Sequence, residues 1–299
     1  MLNLPHRATV LYRRAHPVLA LIAYLAASLV LGALLSFPVY VALRGAADIA
    51  FDSVLHRVAA LTLLLFLPLY LGRGENARRE ALGVARSPAA LARGFFAGFA
   101  LGILAVSPVV SAFLLLDIRS PTLPAIGTLS GVGLFVAYAL LTAVIVGVIE
   151  EAYFRGALLA PLRPLPPSLA VSIVSLVYAI VHFLGAPVAA EDVTWSSGLA
   201  SIARSELSLD AFLALTAAGL LLGAVRYRVG HIALGAGLHA GWVWIMKLSQ
   251  EYSDVERSSD LLFLEGSFAG TMGYLGLAWI GLLGVGWYAW ERLTGSKAP

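Results

Sequence analysis

The sequence predicts an all-α, polytopic membrane protein of about eight transmembrane helices with its active site inside the helix bundle. Three observations carry this. Of 299 residues, 60% are hydrophobic and 12% charged, against about 25% charged for a soluble domain. Apolar segments of about the 20 residues that a spanning helix needs recur along the chain. The charges between them alternate as Lys and Arg do when they favour cytoplasmic loops.

The chain contains no cysteine, so disulfides and thiolate chemistry are excluded and His, Asp and Glu must carry any catalysis or metal binding. The formal charge of +3 and pI near 9.3 do not point to nucleic acid, because the basic residues follow topology rather than cluster on a soluble surface.

Residues 1 to 16 carry Arg7, Arg13 and Arg14 and read as a retained cytoplasmic lead-in to the first span. Apolar segments follow at about 17–42, 55–72, 93–115, 127–163, 168–187, 209–226, 229–248 and 272–290. With both termini in the cytoplasm, the external side keeps only Arg44, Arg57, Arg119, Arg204, Lys247 and Arg257 of the 20 basic residues. It receives all of the 17 acidic residues except Glu75, Glu80, Glu150, Glu151 and Glu291. The two charge patterns agree on one orientation.

Residues 73–92 read as a short amphipathic, interfacial helix on the cytoplasmic side or as a solvated helical loop. The external stretches 188–208 and 249–271, with Glu191, Asp192, Glu251, Asp254, Glu256, Asp260 and Glu265, read as solvated loops, with metal or substrate binding as the alternative.

The chemistry points to the fourth segment, where Glu150, Glu151 and Arg155 interrupt an apolar run from Leu134 to Pro161. An ionisable group at bilayer depth costs about 2.5–3.5 kcal/mol on insertion scales and marks a functional site by default. The run breaks at Pro164-Leu165-Pro166-Pro167 and the next segment carries His182, so a helical hairpin is implied. Glu150 lies 16 residues before Pro166 and His182 lies 16 after it; at about 1.5 Å per residue they share one depth. His239 lies 12 residues past Tyr227 and reaches a similar layer.

Helical phase separates the charges. Glu151 and Arg155 stand at i and i+4, acid first, which favours an ion pair. Glu150 points about 100° away, flanked by Val146 and Phe154, with no local counter-ion. A carboxyl group in apolar surroundings is a competent general base or acid near neutral pH. His182 and His239 could hold water against it, donate to a developing oxyanion, or join Glu150 as ligands of zinc. A satisfied core histidine is the structural alternative for each. His231 sits at the membrane boundary, and His6, His16 and His56 read as interfacial.

These residues resemble a known family. Glu150-Glu151-Ala152-Tyr153-Phe154-Arg155 fits an EExxxR signature. Tyr178-Ala179-Ile180-Val181-His182 resembles FxxxH with Tyr for Phe, and Leu238-His239-Ala240-Gly241-Trp242-Val243 looks like a third, histidine-bearing motif. Together they resemble the CPBP family of intramembrane endopeptidases, the CAAX-protease and bacteriocin-processing type related to the type II Ras-converting CAAX protease.

The resemblance implies that Glu150 activates water, that Glu151 pairs with Arg155, and that His182 and His239 complete the site. Tyr178, Phe154 and Trp242 become candidates for contact with substrate or its oxyanion. The family's third motif commonly has Asn four residues after the histidine, where this chain has Val243. The implied organisation is an N-terminal part, 1–129, with three helices and the interfacial loop; a catalytic core, 130–248; and an external loop with a final helix, 249–299.

The expected function is hydrolysis of a peptide bond in a membrane-attached protein or peptide, of CAAX type or near a C-terminal tail, in a bacterial cytoplasmic membrane. Zinc-dependent and metal-free glutamic mechanisms both suit one Glu and two His. The rival readings are a proton-coupled transporter, in which Glu150, Arg155 and His182 would relay protons, and an inactive family member acting as a membrane scaffold.

Overall fold

The computed structural model describes residues 16–45, 49–72, 79, 81–84, 87–122, 129–266 and 273–294. Arg7, Arg13 and Arg14 lie outside the described residues, as does much of the stretch 73–92. Its described part is not helical before Pro88: residues 81–83 form a turn, closed by the Val84 amide donating to the Arg79 carbonyl at 2.8 Å.

Each of the eight apolar segments is largely helical among the described residues, because a backbone in hydrocarbon must satisfy its own hydrogen bonds. The helices are α1 (Pro17–Leu43), α2 (Phe51–Leu71), α3 (Pro88–Leu115), α4 (Leu129–Glu151), α5 (Pro167–Val181), the short α6 (Ser197–Ala203), α7 (Leu209–Val229), α8 (Ala233–Tyr252) and α9 (Tyr274–Thr294). Among the described residues, five stretches are long and apolar enough to cross a membrane: α1, α2, α3, Ser130–Leu162 and α7. The apolar helix α5 and the apolar part of α9 are shorter. Helix α8, diluted by His239, Lys247, Gln250 and Glu251, is not among the five.

Two compact units divide the chain. The first comprises residues 1–77, 160–165 and 180–207. Its core is Ala33 and Tyr40 of α1 against Phe51, Val54, Leu55 and Val58 of α2. Higher on the same pair, the Tyr24 and Tyr70 rings stack at 4.7 Å, and the Thr62 hydroxyl donates to the Ser28 carbonyl at 2.8 Å.

The second unit comprises residues 78–159, 166–179 and 208–299. Ala218, Leu222 and Trp242 form one core cluster. Glycines let its helices approach at backbone distance, as small residues do between membrane helices. A Cβ on Gly147 of α4 would lie 2.6 Å from the Ala236 carbonyl oxygen and 2.8 Å from the Ala240 nitrogen of α8. Helices α3 and α8 meet the same way, with Gly98 and Gly102 facing Leu234 and Leu238, and Gly237 and Gly241 facing Phe95 and Phe99.

Three features depart from expectation. The segment predicted to span 168–187 stops being helical at Val181, because Gly185 takes a left-handed φ of +99° and Pro187 follows, so apolarity outruns the helix. An antiparallel ribbon, β1 (Arg119–Pro121) with β2 (Ser253–Val255), joins the all-α architecture and pairs Arg119 with Val255 and Pro121 with Ser253. Glu265, expected on a solvated loop, is buried and paired with Arg119; the Arg119 guanidinium also donates to the Ser253 carbonyl at 2.6 Å. Burial pushes the Glu265 carboxyl upward from the usual range, and Arg119 only partly offsets it.

Candidate active site

The site lies where α4 gives way to a π-helical stretch, Ala152–Leu158, which begins immediately after Glu151. Sequence periodicity predicted one continuous α-helix here. A π turn keeps the i, i+4 neighbours on one side while widening the coil, so the two forms share one sequence signature; such turns concentrate at functional sites.

Glu151 and Arg155 form the predicted pair, with Arg155 Nη1 donating to Glu151 Oε1 at 2.7 Å. Both side chains are 1% exposed, and a charge pair so deep survives only when its remaining hydrogen-bonding capacity is met. The other guanidinium nitrogen, Nη2, donates to the Gly219 carbonyl of α7 at 3.3 Å. The Arg155 Cζ also sits 4.6 Å from the centroid of the Tyr178 ring, within cation–π reach. The close approach of α5 and α7, where a Cβ on Gly219 would meet Ser175 at 2.8 Å, brings these groups together.

His239 of α8 straddles the two carboxylates. Its Nδ1 is 3.3 Å from Glu151 Oε1, and its Nε2 is 3.8 Å from Glu150 Oε2. The His239 side chain is 6% exposed whereas that of Glu150 is 27% exposed. Glu150 Oε2 is nonetheless a buried atom with no hydrogen-bond partner among the described residues. Glu151 holds the Arg155 guanidinium, and Glu150 approaches His239 instead. Helical phase does not foretell the contact between Glu151 and His239, since counting residues along a helix gives depth and not which faces of two helices meet.

Tyr178 stands edge-to-face against His239, centroids 6.2 Å apart, and Phe154 packs on Tyr178 at 5.1 Å and 90°. Trp242 is one turn beyond His239, with ring centroids 6.5 Å apart. Val243 is half-buried and apolar. His182 directly follows the last residue of α5, half-buried in the turn, and belongs to the first unit. His231, in the α7–α8 turn, is held below its ordinary pKa by burial and by the Arg226 charge.

Among the described residues, no three of His, Cys, Asp and Glu are arranged to hold a metal ion. The reason is visible in the second unit. Glu151 Oε1 and His239 Nδ1 face each other, which leaves Glu150 and His239 Nε2 as a pair of donors rather than a set of three.

Residues 132–245 match the family model for type II CAAX prenyl endopeptidases of the Rce1-like kind. This stretch is an Rce1-like domain. It spans every site residue described here, from Glu150 to Val243. The match covers less than half of the chain, and the long apolar helices around it agree with a membrane protein. No curated protein and no solved structure matches the chain.

Proposed function

We propose that the protein is an intramembrane endopeptidase in which Glu150 activates the attacking water. The observation that carries this reading is the unsatisfied, buried Glu150 Oε2 beside the His239 imidazole. A buried polar atom left unpaired costs about 1–3 kcal/mol. A buried carboxylate oxygen that keeps this cost, on a side chain that is 27% exposed, is suited to hold water.

Glu150 takes one proton of the water as the oxygen attacks the scissile carbonyl. The same carboxyl then gives that proton to the amine nitrogen as the C–N bond breaks. The substrate is a membrane-attached protein or peptide cut near its C-terminal tail, at the cytoplasmic membrane, with both termini of the enzyme in the cytoplasm. His182 enters this reading through its depth in the sequence and the FxxxH-like motif. Tyr178 stands edge-to-face against His239 and supplies a donor for the oxyanion, with Phe154 and Trp242 as apolar walls toward the substrate.

Glu150 and His239 offer two donors in the second unit, and the proton steps use the Glu150 carboxyl alone. Val243 favours a second reading, an inactive scaffold, because an apolar side chain one turn after His239 can donate nothing to an oxyanion. One experiment decides between them. The purified chain, reconstituted in lipid with a quenched membrane-peptide substrate, is expected to cleave it, and Glu150→Gln to lose at least about 100-fold in rate. Equal cleavage by Glu150→Gln would sink the mechanism, and no cleavage by the parent across a panel of tail sequences would favour the scaffold.

A further inference from the structure

We infer that the turn formed by residues 81–84 is a strap across the near end of the candidate site, and that it lifts to let a peptide reach Glu150 from that end. Its meaning for catalysis rests on the peptidase reading above, but the strap itself does not.

The site lies close to one end of its helices. Helix α8 begins at Ala233, and His239 follows Ile232 by seven residues, about 10 Å at 1.5 Å per residue. Glu151 is nearer still to that end, since a Cβ on Gly235 would lie 3.1 Å from its Oε2. Helix α4 runs the opposite way, with Gly147 against Ala240 and Glu151 against Gly235, so its chain reaches the same end at Gly156, six residues past Glu150. A peptide entering here passes about two turns of helix before it meets both carboxylates.

The turn closes this end and touches both helices through its backbone. The Gly83 carbonyl accepts from the Ile232 amide at 2.9 Å, at the start of α8. A Cβ on Gly156 would meet the Leu82 carbonyl oxygen at 2.8 Å, so the bare Gly156 is what lets the turn settle on the π-helical stretch. From α7, Arg226 Nη2 donates to the Ala81 carbonyl at 3.4 Å, and the guanidinium covers Gly83, where a Cβ would come 2.5 Å from its Nε. Gly83 takes a left-handed φ of +74°, so glycine suits both its backbone and the guanidinium above it.

These holds suit a part that moves. Ala81 is buried but contributes one methyl, Gly83 contributes no side chain, and Leu82 and Val84 are half-buried. A segment anchored by so little apolar surface opens locally at a fraction of the cost of unfolding. Loops that open in this way admit substrate and then exclude water behind it.

The test uses the absence of cysteine from the chain. In the full chain carrying Glu150→Cys, reconstituted in lipid nanodiscs, the new thiol is the only one, and its labelling rate reads access to the site. Two reagents are compared, a small polar thiosulfonate and a maleimide carried on a tripeptide. The small reagent is expected to label readily and the tripeptide slowly. Adding Gly83→Ala, which forces the turn away from Arg226, is expected to raise the tripeptide rate about tenfold, as release of an open state held to roughly 10% or less would do. A tripeptide rate that Gly83→Ala leaves unchanged or lowers would overturn the inference, as would a parent that both reagents label equally fast. Should Gly83→Ala fail to fold, Arg226→Gln loosens the same turn from the other side and the same rise is expected. Labelling needs no cleavage. A strap-dependent rate in a chain whose parent cuts nothing leaves the strap standing while the peptidase reading falls, and a cleaving parent with strap-independent labelling does the reverse.

Discussion

The guanidinium of Arg155 lies 4.6 Å from the centre of the Tyr178 ring while one of its nitrogens holds Glu151 at 2.7 Å. Arg155 thus joins α5 to the end of α4, and its removal leaves Glu151 charged, buried and without its cation. Breaking one partner of a buried pair costs about 3–5 kcal/mol. Arg155→Met is expected to lower the thermal midpoint in detergent and to reduce the folded yield. A midpoint within about 1 °C of the parent would show that the pair contributes nothing.

Tyr178→Phe removes a hydroxyl and keeps the ring that packs on Arg155, Phe154 and His239. Its midpoint is expected to stay close to that of the parent. Its cleavage rate is expected to fall about 10- to 100-fold if the phenol donates to the oxyanion, by comparison with the about 100- to 1,000-fold loss on removing one such donor elsewhere. An unchanged rate with an unchanged midpoint assigns Tyr178 to packing alone.

Gly147 is the point at which α4 meets α8 backbone to backbone. In Gly147→Ala the added carbon meets the Ala236 carbonyl oxygen at 2.6 Å, and neither backbone can yield as a side chain would. Overpacking of this kind costs about 1–3 kcal/mol, and here it also separates Glu150 from His239. Both midpoint and cleavage should fall. Gly133→Ala, on the same helix with nothing within 4 Å of the new carbon, is expected to change neither.

His231 gives a pH dependence whose sign follows from its lowered pKa. The folded state prefers the neutral imidazole, because burial and then Arg226 disfavour its charge. Above the unfolded pKa, about 6.5, both states are neutral and nothing is lost. As pH falls below that value the unfolded chain takes up a proton that the folded chain resists, and stability drops until the folded pKa is passed. The midpoint of the parent should therefore fall more steeply below about pH 6.5 than that of His231→Gln; parallel curves would refute the assignment.

Much of this architecture is legible in the residues because hydrocarbon removes options. Long apolar runs must be helical, so the segments around α1 to α5 and α7 to α9 are readable, and three charges inside one run mark the site. The i, i+4 spacing of Glu151 and Arg155 predicts their pairing, whereas nothing in the residues foretells that Arg119 pairs with Glu265. What escapes is whatever depends on azimuth or on a few residues. Strands of three residues, Arg119–Pro121 and Ser253–Val255, are too short to show a period. The end of α5 at Val181 is set by Gly185 and Pro187 against a run of apolar residues that continues past it.

The glycine-lined contact between α3 and α8 has a mechanical consequence. Where two backbones touch, neither helix can roll or slide without breaking contact along its whole seam, so the helix bearing His239 is braced by its neighbour. Glu150 sits on the other partner, α4, next to Ile149 and Val148, which are 56% and 42% exposed on the outer face. The wall that carries His239 is thus packed between α3 and α4, whereas the wall that carries Glu150 keeps apolar side chains exposed beside it.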